Sequence, residues 1–202
     1  MICIKKFLIM YIKMPKQDKK VIRYKVIKRN IKYSRLEVKD GLVYVILPKY
    51  LTIDHKTLFK KYSNWINKKL NVFNEIKKIS ENLSLFNHEN FKELVLEMIE
   101  QYSNLLKEKP TSVSFRWMKR RWGSCQSSNR IIFNKFLKFL PKKLIEYVVI
   151  HEMCHLKIKN HKKEFWLLVK KFCPDFAERE KLLAAYKIKL KLSKAYLQKY
   201  AH

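Results

Sequence analysis

The sequence predicts an α+β fold, in which two groups of short strands alternate with helices. Apolar residues recur with the strand period of two from about residue 21 to 50 and again from 113 to 133, whereas helical spacing dominates elsewhere. The chain of 202 residues is 48% hydrophobic, which is sufficient for a packed interior. Only 2 glycines occur, so nucleotide-binding folds that need glycine-rich loops are excluded.

The first group of strands lies between about residues 21 and 50. Asp40 and Gly41 separate two strand-like runs, and this dipeptide is typical of a two-residue hairpin turn. Pro48 is expected to end the last strand of the group, because proline cannot donate a ladder hydrogen bond.

Two helices are predicted next. Thr52 and Asp54 are candidate N-caps of the first, which runs to about Leu70 and precedes a less ordered, lysine-rich stretch. The second helix spans roughly residues 89–107, where apolar side chains recur at helical spacing. Pro110 is expected to end it.

The second group of strands follows. Residues 113–118 alternate in the strand period, and residues 127–129 supply a turn before the apolar run at 131–133. We interpret this region as an antiparallel hairpin.

A central helix is predicted from Pro141, which suits a first-turn position, to about Lys159. The segment is apolar nearly all round, which is typical of a buried helix. The remaining C-terminal segment is predicted to be helical, with a break at Cys173-Pro174.

The first fourteen residues are apolar but interrupted by Lys5, Lys6 and Lys13. The stretch is shorter than the roughly 20 residues of a membrane span, and no small-residue cleavage site follows it. We therefore expect neither a membrane segment nor a signal peptide, and Met14 is an alternative start. The four cysteines include no C-x-x-C pair and indicate reduced thiols, so a cytoplasmic protein is expected.

The most informative residues are three histidines at positions 151, 155 and 161, with Glu152 beside the first. On a helix, His151 and His155 lie about 40° apart, so their imidazoles can meet at one metal ion. Glu152 is displaced by one residue, where it can take a proton from the water whose pKa the metal lowers. The alternative is that these are buried histidines satisfied by the backbone.

His161 is the predicted third ligand, since catalytic zinc usually takes three protein ligands and leaves one position open. The helix must end before it, and Asn160 tolerates the left-handed conformation that ends helices. Glu164 and Asp175 are the other candidates for this ligand. Cys154 points away from the site and is interpreted as a small core residue.

Residues 121–125, Arg-Trp-Gly-Ser-Cys, have no chemistry that the sequence alone supplies. Gly123 either lets a backbone edge approach a substrate or belongs to a tight hairpin with Trp122 in the core. Arg120 and Arg121 are candidates for stabilising an oxyanion, but no pattern places them.

These segments resemble the YgjP-like metallopeptidase domain, a relative of the SprT-like zincins. The resemblance runs from about residue 21 to 185 and rests on four segments: 121–125, 147–156, 160–161 and 165–166. It implies that His151, His155 and His161 bind zinc and that Glu152 is the catalytic acid and base. It also implies a small zincin-like core, made of an antiparallel hairpin and the active-site helix, with a β-rich N-terminal region.

We divide the chain accordingly into an N-terminal extension (1–20), a β-hairpin and helical region (21–110) and a catalytic core with C-terminal helices (111–202). The last two regions are expected to pack as one unit.

The formal charge is +29, from 46 basic and 17 acidic residues, and such a field attracts polyanions. Only 8 of the basic residues are arginine, the residue that base readout and phosphate clamps favour. Nucleic-acid binding is therefore expected to be weak and non-specific.

The function predicted is a zinc-dependent hydrolase acting on a peptide or protein. Three alternatives remain at this point: hydrolysis of a phosphate ester or anhydride on the same metal, a DNA-associated SprT-like protease, and a metal-binding or nucleic-acid-binding module without activity. Three nitrogen ligands also accept nickel, cobalt or copper. The sequence does not predict the oligomeric state.

Overall fold

A computed structural model describes residues 8–14, 17–51, 55–193, 196 and 198. Its contacts divide the chain into two units, Met1–Lys78 and Ile79–His202. The division predicted near residue 110 falls inside the second unit, because the helix before it packs against the central helix of that unit.

The first unit is built on a four-stranded sheet in the order β1-β2-β4-β3. Strand β2 pairs antiparallel with β1 and parallel with β4, and β3 and β4 form the hairpin predicted at Asp40-Gly41. Both turn residues have positive φ, 51° and 75°, as the predicted two-residue turn requires. The strands are β1 (Leu8–Met14), β2 (Gln17–Arg29), β3 (Arg35–Lys39) and β4 (Leu42–Pro48).

Helix α1 (His55–Glu81) packs its apolar residues on this sheet, with Phe59 and Ile66 fully buried. The prediction that the helix ends near Leu70 is wrong. Lysine is a good helix former, so a lysine-rich stretch extends a helix rather than ending it. The candidate caps Thr52 and Asp54 lie outside the described residues.

The second unit contains a three-stranded sheet in the order β5-β7-β6: β5 (Ser112–Arg116), β6 (Gly123–Cys125) and β7 (Arg130–Asn134). The predicted antiparallel hairpin exists, but its strands are β6 and β7. Strand β5 pairs parallel with β7, so its place in the hairpin was wrongly predicted. The turn residue Asn129 has a φ of 61°, which sharply reverses the chain.

Four helices complete the second unit: α2 (Phe91–Leu106), α3 (Lys142–Lys157), α4 (Lys163–Phe172) and α5 (Phe176–Lys191). A short 3-10 helix (Lys135–Phe139) precedes α3, and Pro141 stands at the N-cap position of α3. Helix α3 is buried on nearly every side, as predicted, and contacts α2, α4, α5 and β6. The predicted break at Cys173-Pro174 separates α4 from α5.

The architecture is therefore α+β, with N-terminal strands, as the sequence predicted. Within the described ranges, no helix combines the length and apolarity that crossing a bilayer demands.

Candidate active site

The three histidines of the predicted metal site meet at the C-terminal end of α3. His151 and His155 stand one turn apart on the helix, which ends at Lys157. Ile158 follows in an extended conformation, with φ −128° and ψ 103°, and turns the chain back toward α3. His161 lies in the connection to α4 and faces the other two rings.

Asn160 was expected to end the helix in a left-handed conformation, and this prediction is wrong. Its φ is not positive, and the chain has already left the helix at Ile158. Instead, Asn160 Oδ1 accepts a hydrogen bond of 3.0 Å from the backbone N–H of Lys162. Asn160 therefore organises the entry into α4 rather than the exit from α3.

The ring nitrogens converge closely. His161 Nε2 lies 3.2 Å from His151 Nε2 and 3.1 Å from His155 Nε2, and the three candidate ligand atoms all lie within 4.8 Å of one another. One ring nitrogen offers a single proton or a single lone pair, so hydrogen bonding does not account for both contacts. Tetrahedral nitrogens around zinc at about 2.0–2.1 Å stand roughly 3.3 Å apart, so the spacing fits a shared ion.

The surroundings of the rings fix their orientation. His155 Nδ1–H donates to the Ile158 carbonyl at 2.9 Å, which leaves the lone pair on Nε2, toward the other histidines. The buried Phe165 ring stacks on His155 at 4.3 Å between centroids. Trp166 Nε1 donates to the His161 carbonyl at 3.1 Å and so ties that residue to α4.

His151 and His155 are held in their neutral form. Burial lowers the pKa of His151 to about 3, helped by the neighbouring His155 and His161. The pKa of His155 is lowered as well, again mainly by burial. Neutral imidazole is the form that binds a metal ion, so the site is prepared for one at neutral pH.

Glu152 is buried beside this cluster, with 6% of its surface exposed. Burial raises its pKa to about 7, while the Cys125 backbone N–H and the Arg121 charge oppose that rise by favouring the carboxylate. A carboxyl group with a pKa near neutrality both accepts and donates protons, which is the property of a general acid and base.

Gly123 provides the space for Glu152. A Cβ at residue 123 would come within 2.6 Å of Glu152 Cγ and Oε1, so no larger residue fits without moving the carboxylate. The sequence left two roles open for Gly123: close approach of the backbone to a substrate, or a place in a tight hairpin. Gly123 lies in the hairpin strand β6, where it allows β6 to pack closely on α3. Trp122 is partly buried and packs against the core.

A cleft of about 490 Å³ opens over these residues. Its walls are the β6 segment (residues 121–125) and two α5 residues, Glu180 and Leu183, and α3 forms the floor. Lys159 also lines it, but its ammonium group donates to Asn129 Oδ1 and to the Gln126 carbonyl, fastening the β6–β7 turn to the end of α3.

The other ligand candidates are placed elsewhere. Asp175 pairs with Lys143 at 2.8 Å and with Arg179 at 2.9 Å, so it belongs to an ion-pair network. Glu164 is exposed on α4 and is not among the groups brought together with His151. Cys154 is fully buried in the core, as predicted.

The sequence did not indicate Tyr147 or Glu180 as residues of the site. Tyr147 stands one turn before His151 on α3 and lines the cleft, a placement that helical spacing alone would have indicated. Glu180 reaches the cleft only because α5 packs against α3, and no local pattern carries that information.

Residues 75–186, more than half of the chain, match the family described as YgjP-like, metallopeptidase domain. The chain belongs to this family and is a hydrolase of the metallopeptidase class. The resemblance seen in the sequence is thereby confirmed, although the match begins at residue 75 rather than near residue 21.

Among solved structures, the metallopeptidase zymogen of Pyrococcus abyssi abylysin is similar, with a TM-score of 0.40 and 24% sequence identity. The similarity covers 48% of this chain and 94% of that chain. No curated protein matches the sequence.

Proposed function

We propose that this metallopeptidase is a zinc-dependent peptidase, with His151, His155 and His161 as the metal ligands and Glu152 as the general base. The observation that carries the proposal is the convergence of three Nε2 atoms, at 3.1 and 3.2 Å, on one point beside a buried carboxylate. Three nitrogen ligands with an open fourth position are typical of catalytic zinc, which favours zinc over nickel, cobalt or copper.

A zinc ion held there supplies Lewis-acid chemistry, which polarises a carbonyl group and lowers the pKa of water. The chain supplies the proton transfers. Glu152 takes one proton from the attacking water as the new carbon–oxygen bond forms. It then gives that proton to the amide nitrogen as the carbon–nitrogen bond breaks, so the products are a carboxylic acid and an amine.

The β6 segment supports a peptide as the substrate. Strand β6 has one neighbour, β7, in the described sheet, so its other edge can pair with an extended chain. The same segment lines the cleft beside Glu152. An extended peptide paired with this edge would therefore pass over the proposed metal site.

Phosphate-ester hydrolysis is less favoured, because Lys159 in the cleft is already engaged by Asn129 and Gln126. We expect contact with nucleic acid to be weak and non-specific. We also propose a cytoplasmic location, which is supported by the free thiols of Cys125, Cys154 and Cys173 in the described part of the chain.

The test combines metal analysis with a hydrolase screen. Purified protein is expected to contain about one zinc per chain and to cleave peptides, with Glu152→Gln as the inactive comparison. Cleavage of nucleotides in place of peptides, abolished by the same substitution, would contradict the peptidase proposal. Purification with another metal, in stoichiometric amount and supporting full activity, would contradict the assignment of zinc.

A further inference from the structure

The cleft contains a second carboxylate besides Glu152. Glu180 on α5 also lines the cleft, and the proposed mechanism makes no use of it. Within the described residues that line the cleft, Glu152 and Glu180 are the only acidic ones.

Glu180 has no cationic partner among the ion pairs of the described residues. The positions three and four residues away on α5, which share its helix face, carry no cation: they are Phe176, Ala177, Leu183 and Ala184. The nearby acids Glu146 and Asp175 both pair with Arg179.

Tyr147 adds a second polar group at the same place. Its side chain is 2% exposed, and its buried hydroxyl has the Glu180 carboxylate as its hydrogen-bonding neighbour. The hydroxyl lies near the Glu180 carboxylate, whose charge adds to burial in raising the Tyr147 pKa. A phenol donates to a carboxylate and still accepts a hydrogen bond from an ammonium or guanidinium group.

Apolar side chains line the approach to these two groups. Val148 is 3% exposed and Leu183 is 7% exposed, and both face the cleft with the partly buried Trp122. A cleft with apolar walls and a carboxylate fits the aliphatic stem and charged head of lysine or arginine. Arg121, a cation that also lines the cleft, acts electrostatically on Glu152.

We infer that Glu180 and Tyr147 form a subsite for the cationic side chain of a lysine or arginine in the peptide substrate. The inference rests on the proposed peptidase function and names its substrate class. Tyr147 and His151 are four residues apart, about 6 Å along α3, so the basic residue binds within one or two residues of the cleaved bond.

The first experiment measures specificity. A set of N-acetylated fluorogenic peptides carries lysine, norleucine or glutamate at each position around the cleaved bond. The wild-type enzyme is expected to prefer lysine over norleucine at one position by about tenfold or more in kcat/KM, as for a charge-assisted hydrogen bond. Glu180→Gln is expected to remove this preference while changing cleavage of the norleucine peptide less than about twofold.

Glu178→Gln is the matched control, because Glu178 is exposed on the same helix and does not line the cleft. Its lysine preference should equal that of the wild type. An equal loss of preference in both variants would show that net charge, and not the subsite, selects the substrate, and would overturn the inference.

The second experiment measures binding without turnover. Lysine and norleucine peptides are titrated into Glu152→Gln and into the Glu152→Gln/Glu180→Gln double variant. We expect Glu152→Gln to bind the lysine peptide more tightly than the norleucine peptide, and the double variant to bind both equally. Peptides with acetylated and with free N-termini should give the same result. Equal affinities in Glu152→Gln, or a preference that follows the free N-terminal amine, would overturn the subsite. If binding prefers lysine in a Glu180-dependent way but the wild type cleaves no peptide, the peptidase function is contradicted and the subsite is not.

Discussion

The imidazole of His155 is held by the carbonyl of Ile158, with Nδ1 and the oxygen 2.9 Å apart. The same carbonyl belongs to the residue at which α3 ends, so the end of the helix and the orientation of a proposed metal ligand are set together. This arrangement positions His155 Nε2 before any metal ion binds.

The first prediction concerns the third ligand. His161→Ala removes the nitrogen that lies close to both other histidines, so zinc affinity should fall by about 100-fold or more. His151→Ala and His155→Ala should also lose most of the metal, as measured by metal analysis after dialysis. Glu164→Gln is the control and should retain it. If His161→Ala still binds zinc tightly and Glu164→Gln does not, the third ligand is Glu164 instead of His161.

The second prediction separates metal binding from chemistry. Glu152→Gln keeps the size of the side chain and removes the base, so turnover should fall by about 100-fold or more while zinc content stays unchanged. Parallel measurements of kcat and metal content check this. Loss of zinc from this variant would make Glu152 a ligand, and unchanged turnover would remove it from the mechanism.

The third prediction follows from the packing of Gly123 on Glu152. Gly123→Ala places a methyl group where the carboxylate lies, so Glu152 must move while the three histidines need not. A displacement of about 1 Å in a catalytic group can lower the rate about 100-fold, so kcat should fall strongly with zinc retained. Ser127→Ala, in the exposed turn after β6 and outside the lining of the cleft, is the control and should remain near wild-type activity.

The fourth prediction tests the ion-pair network that joins α3 and α5. Arg179 contacts Glu146 at 3.2 Å and Asp175 at 2.9 Å, and its side chain is only 11% exposed. Arg179→Met leaves both carboxylates without that cation, so the free energy of unfolding should fall by about 1–3 kcal/mol. Lys109→Met is the control, because the Lys109–Glu100 pair is exposed and should contribute less than about 1 kcal/mol. Urea unfolding of both variants measures the difference.

The fifth prediction is the pH dependence of that network. Hydrogen bonds from Lys143 and Arg179 hold the pKa of Asp175 below its usual range. A carboxyl group with a depressed pKa in the folded state stabilises the fold above its unfolded pKa of about 3.9, and this contribution is lost as the pH falls further. The stability difference between wild type and Asp175→Asn should therefore be constant near neutrality and shrink below about pH 4. A difference that grows on acidification would contradict the pairing.

The histidine cluster was largely predictable because its strongest constraint is local. The four-residue spacing of His151 and His155 places both on one face of a helix wherever that helix lies. The turn that brings His161 to the other histidines was assigned to the wrong residue, Asn160. The hydrogen bond from His155 to the Ile158 carbonyl is a side-chain contact, and the spacing of residues in the sequence does not reveal it.

The sheet of the second unit was less predictable for a different reason. Strand β6 has three residues, too few to show a period, so the longer β5 segment was taken as the partner of β7 in the hairpin. Glu180 was missed because its position in the cleft results from the packing of two helices that are distant in the sequence.

The chain contains 2 glycines in 202 residues, and each lies against one particular side chain. A methyl group on Gly41 would come within 2.6 Å of the Phe73 ring, as one on Gly123 would meet the Glu152 carboxylate. At both positions the neighbouring side chain must shift before even a methyl group fits. Relatives of this protein should therefore be restricted to glycine at residue 41, in the β3–β4 turn of the first unit, and equally at residue 123 beside the candidate site.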